Sequence, residues 1–272
     1  MTRRLVITAD DLGRDAAGTE MIHALRAEGA ITRCTLMPVS AESERAAARF
    51  RRSGFAVQLH LTLNSDEMSS QWRPLSAGRT LRDERGTLLV DAWRVERLLD
   101  LGQARAELDA QLAWMYEAGL TPRSADSHAG VLYGLRGGET LLPLALEWCA
   151  EHRLGFRFPR DPQLYLGADL RTETQMRHRQ AVELADSLGV RLPAAILTTR
   201  RTVTTSGGYE ALRSELIHGL RRLPAGTSEL FLHPSAGGPG VPPLRVWEAR
   251  LLRDPHWLEA LRTEHIELVE EW

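Results

Sequence analysis

The chain has 272 residues, of which 43% are hydrophobic and 26% charged, and a formal net charge of −2. A chain of this length can bury a full core without staples, and with neither a basic stripe nor an acidic tail the composition argues against nucleic acid as a partner and against disorder. No apolar run approaches the roughly 18 residues needed to span a bilayer, and a strand already begins near residue 4, so no signal peptide and a cytoplasmic location are expected. The two cysteines, Cys34 and Cys149, lie far apart in apolar settings and are expected to be reduced.

Strand-like and helix-like segments then alternate along the chain. "RLVITAD" reads as a buried strand, and "AAGTEMIHALRAEGA" as a helix with apolar residues at Met21, Ile22 and Leu25, closed by Gly29. "ITRCTLMPV" is a second strand, stopped by Pro38, and "SAESERAAARFRRSG" a charged helix with a solvated basic face. "FAVQLHLTL" is strand three. A polar stretch from Asn64 to about Asp91 shows little periodicity, and loops of that length usually carry function. One helix is expected from about Val95 to Gly119, followed by "PRSADSHAGVL" as strand four and a helix at "ETLLPLALEWCAEH". "GFRFPR" reads as strand five. A helix over 172–189 leads to the strand "AAILTT", and "YEALRSELIHGLRRL" leads to "SELFLHPS". Two helical pieces and a short final strand complete the chain. About seven strand–helix repeats without a break in composition predict one α/β domain over 1–272, a single (β/α) barrel of about seven parallel strands distorted from the TIM type. A doubly wound open sheet is the competing architecture.

In such barrels the functional residues stand at the C-terminal ends of the strands. Strand one ends in Asp10 and Asp11, strand three carries His60, strand four carries Asp126 and His128, strand five ends in Arg157 and Arg160, and the late strand ends in His233. Each alone has an ordinary explanation: a strand histidine is usually a satisfied core residue, and an acid after a strand often caps the next helix. Together they are harder to dismiss. One carboxylate and two imidazoles form a competent set for a divalent metal, and the second acid of the pair can take a proton from water. A cation would also relieve the repulsion between adjacent acids.

The stretches "VITADDLG", "LHLTL", "DSH", "FRFPR" and "ELFLHPS", with "GAITRCTLMP", "WRPLSAGRTLRDERGTLL" and "ARAELDAQLAWMYEAGLTP" between them, resemble the YdjC-type carbohydrate deacetylases. That family includes chitooligosaccharide deacetylases and hopanoid-biosynthesis-associated members. The resemblance implies a barrel-like fold and removal of N-acetyl groups from amino sugars with one divalent ion. It implies metal ligation by Asp11, His60 and His128, with Asp10 as general base and His233 as general acid. Arg157 or Arg160 would hold Asp10 ionised. Trp72 and Asp126 are the candidates for substrate contact, although Trp72 equally suits pinning its loop. One aspartate and two histidines suit zinc, with magnesium, manganese, cobalt or nickel as alternatives. A small amino-sugar substrate and a homodimer are the partners implied.

The chain departs from the family at one place. Where members continue past Asp-Ser-His with further histidines, it has Ala129, Gly130 and Leu132. If those positions line the substrate side, their loss opens space and favours a bulkier or less polar acyl group. Two other functions compete: hydrolysis of another amide or of a phosphoester, for which Arg157 and Arg160 would be suited, and a non-catalytic sugar-binding barrel.

Overall fold

The computed structural model describes residues 2–66, 72–134, 140–199 and 207–272. Strands β1 (Arg3–Leu12), β2 (Arg33–Leu36), β3 (Gln58–Leu61), β4 (Ser124–Ser127), β5 (Gly155–Phe156), β6 (Ile196–Leu197) and β7 (Gly226–Leu232) pair in parallel in the order β5-β4-β3-β2-β1-β7-β6. The remaining gap is bridged irregularly: the backbone N–H groups of Phe156, Arg160 and Asp161 donate to the carbonyls of Arg191, Pro193 and Ala194 at 2.9, 2.9 and 2.8 Å. Consecutive strands are therefore neighbours around a distorted parallel barrel, in line with the sequence expectation. A last strand, β8 (Ile266–Leu268), pairs with the first residues of β1.

Helices α1 (Ala16–Ala27), α2 (Ser43–Arg52), α3 (Ala92–Leu98), α4 (Leu101–Glu117), α5 (Leu142–Glu151), α6 (Gln163–Leu166), α7 (Thr172–Leu188), α8 (Tyr209–Arg221), α9 (Pro243–Leu251) and α10 (Pro255–Thr263) connect the strands. The single helix expected over 95–119 is two. Asp100 adopts an extended backbone and accepts from the Gln103 N–H at 2.9 Å, so it caps a new helix in mid-stretch. Strand four is also shorter than expected. It stops at Ser127, and His128–Tyr133 form a 3-10 turn with Ala129 and Gly130 in the left-handed region. Strand five holds two residues, because the proline at 159 has no N–H to continue a ladder.

The strands alternate in an unusual sense. Leu5, Ile7, Ala9, Cys34, Leu36, Leu59, Leu61, Ala125, Phe156, Leu230 and Leu232 all pack into the core under the helices. Their neighbours on the other face are Thr8, Asp10, Arg33, Thr35, Gln58, His60, Ser124, Asp126, Arg157 and Glu229, all buried. A period of two thus sends the apolar set outward and a polar set into the lumen. Cys34 and Cys149 are free and buried, and burial pushes both thiols up, Cys34 to about 12. Among the described residues no helix is long and apolar enough to cross a membrane.

Trp272 closes the lumen at its N-terminal end. Its indole N–H donates to Glu229 Oε2 at 2.8 Å, the Arg33 guanidinium lies 4.7 Å from its ring, and a Cβ on Gly155 would come within 2.5 Å of its Cζ3. Gly155→Ala should therefore cost about 1–3 kcal/mol by overpacking. In a Trp272→Ala background most of that cost should vanish, which urea unfolding of the four proteins in the cycle would measure.

Candidate active site

The paired acids occupy a break in the sheet register. Between Ala9, opposite Cys34, and Leu12, opposite Leu36, β1 carries one residue more than β2, and Asp11 takes a φ of 65°. A regular strand would send Asp10 and Asp11 to opposite faces. The bulge keeps both carboxylates at the top of the lumen, at the strain of a left-handed non-glycine residue, about 1 kcal/mol or more.

Asp10 is gripped from below. Arg157 NH1 and NH2 lie 2.6 and 2.8 Å from its two oxygens, and the Thr35 hydroxyl donates to Oδ1 at 2.8 Å. Burial alone would raise the Asp10 pKa, but Arg157, His60 and His233 outweigh it and bring it to about 2. The guanidinium is itself 4% exposed. It also contacts Asp126 Oδ2 at 2.6 Å and Glu229 Oε1 at 2.9 Å.

Above this layer, three donor atoms converge. His60 Nε2 and Asp11 Oδ1 are 3.3 Å apart, His128 Nδ1 and Asp11 Oδ1 3.4 Å, and the two ring nitrogens 3.3 Å. Each imidazole has a carboxylate on its outward nitrogen: Asp126 on His60 Nδ1 at 2.5 Å and Asp66 on His128 Nε2 at 3.1 Å. With a cation bound, outward N–H bonds to these carboxylates would leave the inward nitrogens as lone pairs, the tautomers that metal-binding histidines adopt. The other oxygen of Asp11 is taken by Arg245, whereas Oδ1 is buried with no hydrogen-bond partner among the described residues.

This donor set fits a divalent cation. Ligands about 2.0–2.1 Å from a tetrahedral ion stand about 3.3–3.4 Å from one another, which is the spacing found here. Charge points the same way. Arg245 offsets Asp11 and Arg14 offsets Asp66, while in the lumen Asp10, Asp126 and Glu229 outnumber Arg33 and Arg157 by one. That surplus negative charge also acts on the imidazoles. Burial opposes their protonation, but Asp126, Asp11 and Asp10 lift His60 to about 10, and Asp11 and Asp66 raise His128.

His233 lies across the mouth, with its side chain 34% exposed and its Nε2 4.0 Å from Asp10 Oδ2. Its backbone N–H donates to Glu248 of α9 at 2.8 Å. Its partial burial, helped by Arg245, pushes its pKa down against the pull of Asp11 and Asp10, which favours the neutral ring.

Residues 4–263 match the YdjC-like protein family. The chain belongs to that family. A carbohydrate deacetylase of Mus musculus is 30% identical over 264 residues, which cover 88% of this chain and 80% of its own. One from Homo sapiens is 30% identical over 263 residues, covering 88% and 76%. A crystal structure from Enterococcus faecalis V583, described as a cellobiose-phosphate cleavage protein, is similar with a TM-score of 0.78 and 23% identity, covering 99% of this chain and 97% of its own. At that identity the likeness speaks for the fold.

The YdjC-like barrel brings Asp10, Asp11, His60, Asp126, His128, Arg157 and His233 to one end. It corrects five other expectations. Arg160 points away and pairs with Asp186 at 2.6 Å on the outer surface, because the irregular turn at Pro159 faces it outward. Trp72 is 4% exposed, with its ring against His128 at 5.5 Å, so it has no open face for a sugar. Asp126 is buried between His60 and Arg157 and orients side chains instead of meeting substrate. Of the residues after His128, Leu132 is fully buried in the core and Gly130 is buried, so only Ala129 opens on solvent. The helix that follows β1 is capped by Asp15, not by Asp11.

Four buried or half-buried charges were not among the expected site residues: Asp66, Glu229, Arg245 and Glu248. Glu229 had a signal, an acid inside the apolar run "ELFL". Asp66 and Arg245 come from a loop and a helix whose approach to the site no local pattern encodes.

Arg157→Met should cost about 3–5 kcal/mol, since it strands buried carboxylates without their shared cation. The pH dependence supplies a sharper check. Asp10 has a folded pKa of about 2 against an ordinary value of 3.8, so its contribution is present above about pH 4 and fades as pH falls through 2. By linkage that contribution is about 2 kcal/mol. In Arg157→Met burial is unopposed by the guanidinium, and the Asp10 contribution to the slope of stability against pH should reverse sign. Urea unfolding between pH 2 and pH 6 measures both.

Proposed function

We propose that this YdjC-like chain hydrolyses the N-acetyl or related acyl group of an amino sugar, with a divalent ion held by Asp11, His60 and His128. The observation that carries this reading is the triangle of inward-facing donors set directly above a second, ionised carboxylate. The carbohydrate deacetylases among its relatives support the substrate class. A bound divalent ion supplies Lewis acidity, polarising the amide carbonyl and making water easier to deprotonate.

The chain's own residues then divide the proton transfers. Asp10 accepts the proton of the attacking water on Oδ2, the oxygen nearer His233. Arg157 and Thr35 hold that carboxylate ionised and fixed in direction. The departing nitrogen needs a proton, because an amide anion is too poor a leaving group. Burial and Arg245 favour a neutral His233 ring at rest, and its Nε2 stands 4.0 Å from Asp10 Oδ2. That gap exceeds a direct hydrogen bond, so a proton gained by Asp10 reaches His233, and then the amine, through a bridging water or by closure of the gap. Exposed Ala129, next to His128, leaves room at the mouth for a larger acyl group or sugar. A phosphoester is less well served: Arg157 and Arg245 are engaged by carboxylates, and Arg160 lies outside.

The test is a screen of N-acetylated amino sugars and chitooligosaccharides with zinc, magnesium, manganese, cobalt or nickel added, reading acetate release. Asp10→Asn should keep its metal and lose activity by about 100-fold or more, the range of general-base catalysis. Asp11→Asn should lose metal and activity together, as elemental analysis would record. Equal metal content and equal activity in the two variants would refute the division of roles.

A further inference from the structure

The two histidines of the triangle are held in different ways. His60 lies within β3, and its partner Asp126 stands directly opposite on β4. The sheet register alone aligns that pair. His128 has no such support: β4 ends at Ser127, and His128 opens a turn in which Ala129 and Gly130 take φ values of 50° and 73°. The direction of its ring has to come from side chains.

The long loop after β3 supplies them. Asp66 Oδ1 stands 3.1 Å from His128 Nε2, and the Trp72 ring meets the imidazole at 69° and 5.5 Å. Asp66 is held in turn by Arg14, whose Nε and NH2 both lie 2.9 Å from Asp66 Oδ2. The Arg14 side chain is 7% exposed and belongs to the turn that carries Asp11. One turn therefore presents a ligand and also fixes the residue that aims another ligand. The part of the loop beyond Trp72 is anchored independently: Glu107 of α4 accepts from the Leu75 and Ser76 N–H groups at 3.0 and 2.7 Å.

We propose that Asp66, braced by Arg14 and backed by Trp72, is a positioning residue that fixes the His128 ring with Nε2–H outward and the Nδ1 lone pair toward Asp11 and His60. The described residues of that loop, 64–66 and 72–91, then act as a clamp on the metal site. This rests on the reading of Asp11, His60 and His128 as ligands. A neutral imidazole carries one proton, and a carboxylate acceptor at Nε2 keeps it there. Without Asp66 the ring loses its anchor at Nε2 and is free to turn its Nδ1 away from Asp11 and His60.

The experiment measures affinity of the purified chain for Zn²⁺ by competition with a chromophoric chelator, alongside thermal melts of the metal-free protein. Asp66→Ala should weaken zinc binding by about 10–100-fold, the usual penalty for losing an outer-shell carboxylate. Asp66→Asn, which keeps the shape and guards against a folding defect, should weaken it by about 3–10-fold. Asp83→Ala controls for the loop itself: Asp83 Oδ1 accepts from the Arg85 and Thr87 N–H groups at 2.9 Å each and has no part in the triangle. Its affinity should stay within about twofold of wild type, because His128 keeps its carboxylate. Zinc-loaded wild type should show His128 protonated at Nε2 in nitrogen-15 spectra. Wild-type binding with Asp66 variants unchanged, or with Asp83→Ala equally impaired, overturns the clamp alone. Failure of wild type to bind zinc, magnesium, manganese, cobalt or nickel overturns the ligand reading and the clamp with it.

Discussion

A guanidinium shut inside a barrel is the constraint on which the rest of this structure depends. Arg157 meets Asp10, Asp126 and Glu229 at 2.6–2.9 Å with almost no water, and its face lies over Phe231 at 4.8 Å. Charges are costly to bury unless paired and hydrogen-bonded, and a planar fork with five donors is the side chain able to serve three carboxylates at once. Once it is in place, the lumen has to be polar. The strands accordingly turn most of their apolar side chains outward, and the core lies between sheet and helices. The floor is completed by Arg33 and by Trp272, whose indole N–H satisfies the far oxygen of Glu229.

The site at the top is the continuation of that layer. Asp126 is shared, with one oxygen on Arg157 and the other on His60, so the orientation of a candidate ligand is tied to the buried cation beneath it. The bulge in β1 then adds what a regular strand cannot, two adjacent acids on the same side. One is neutralised by Arg157 from below and the other by Arg245 from α9, so each keeps its charge near the other. The opposing fields of these cations and acids explain why His60 and His233, both near Asp10 and Asp11, move in opposite directions. Partner carboxylates in direct contact dominate at His60, while burial and Arg245 dominate at His233.

Several parts of this arrangement were legible in the sequence. Runs such as "LVITA" and "LFL", spaced by amphipathic helices, point to a parallel sheet, closed into a barrel or doubly wound, because β-branched and leucine-rich segments of that length have few other ways to be buried. Chemistry-bearing residues at strand ends were legible for the same reason: parallel strands bring their C-terminal ends together whatever the details of each loop. Glu229 was missed, although an acid within a strand of apolar residues has to find a cation.

Other parts depended on the fold in three dimensions. Arg157 and Arg160 are three residues apart in one short segment, and a two-residue strand followed by Pro159 decided which of them enters the lumen. Trp72 looks like a platform for sugar in a polar loop, yet the loop folds back on His128 and buries it. Asp66, Arg14 and Arg245 belong to separate turns and helices, and their pairing with the site comes from packing at distances in sequence that no local periodicity records. The sequence by itself determined the alternation of strands and helices and the acids and imidazoles at the strand ends, because these follow from short-range pattern and parallel pairing. Only the tertiary structure decided which charge neutralises which, since that depends on where a bulge, a proline and a long loop place side chains within about 3 Å of one another, the range over which hydrogen bonds form.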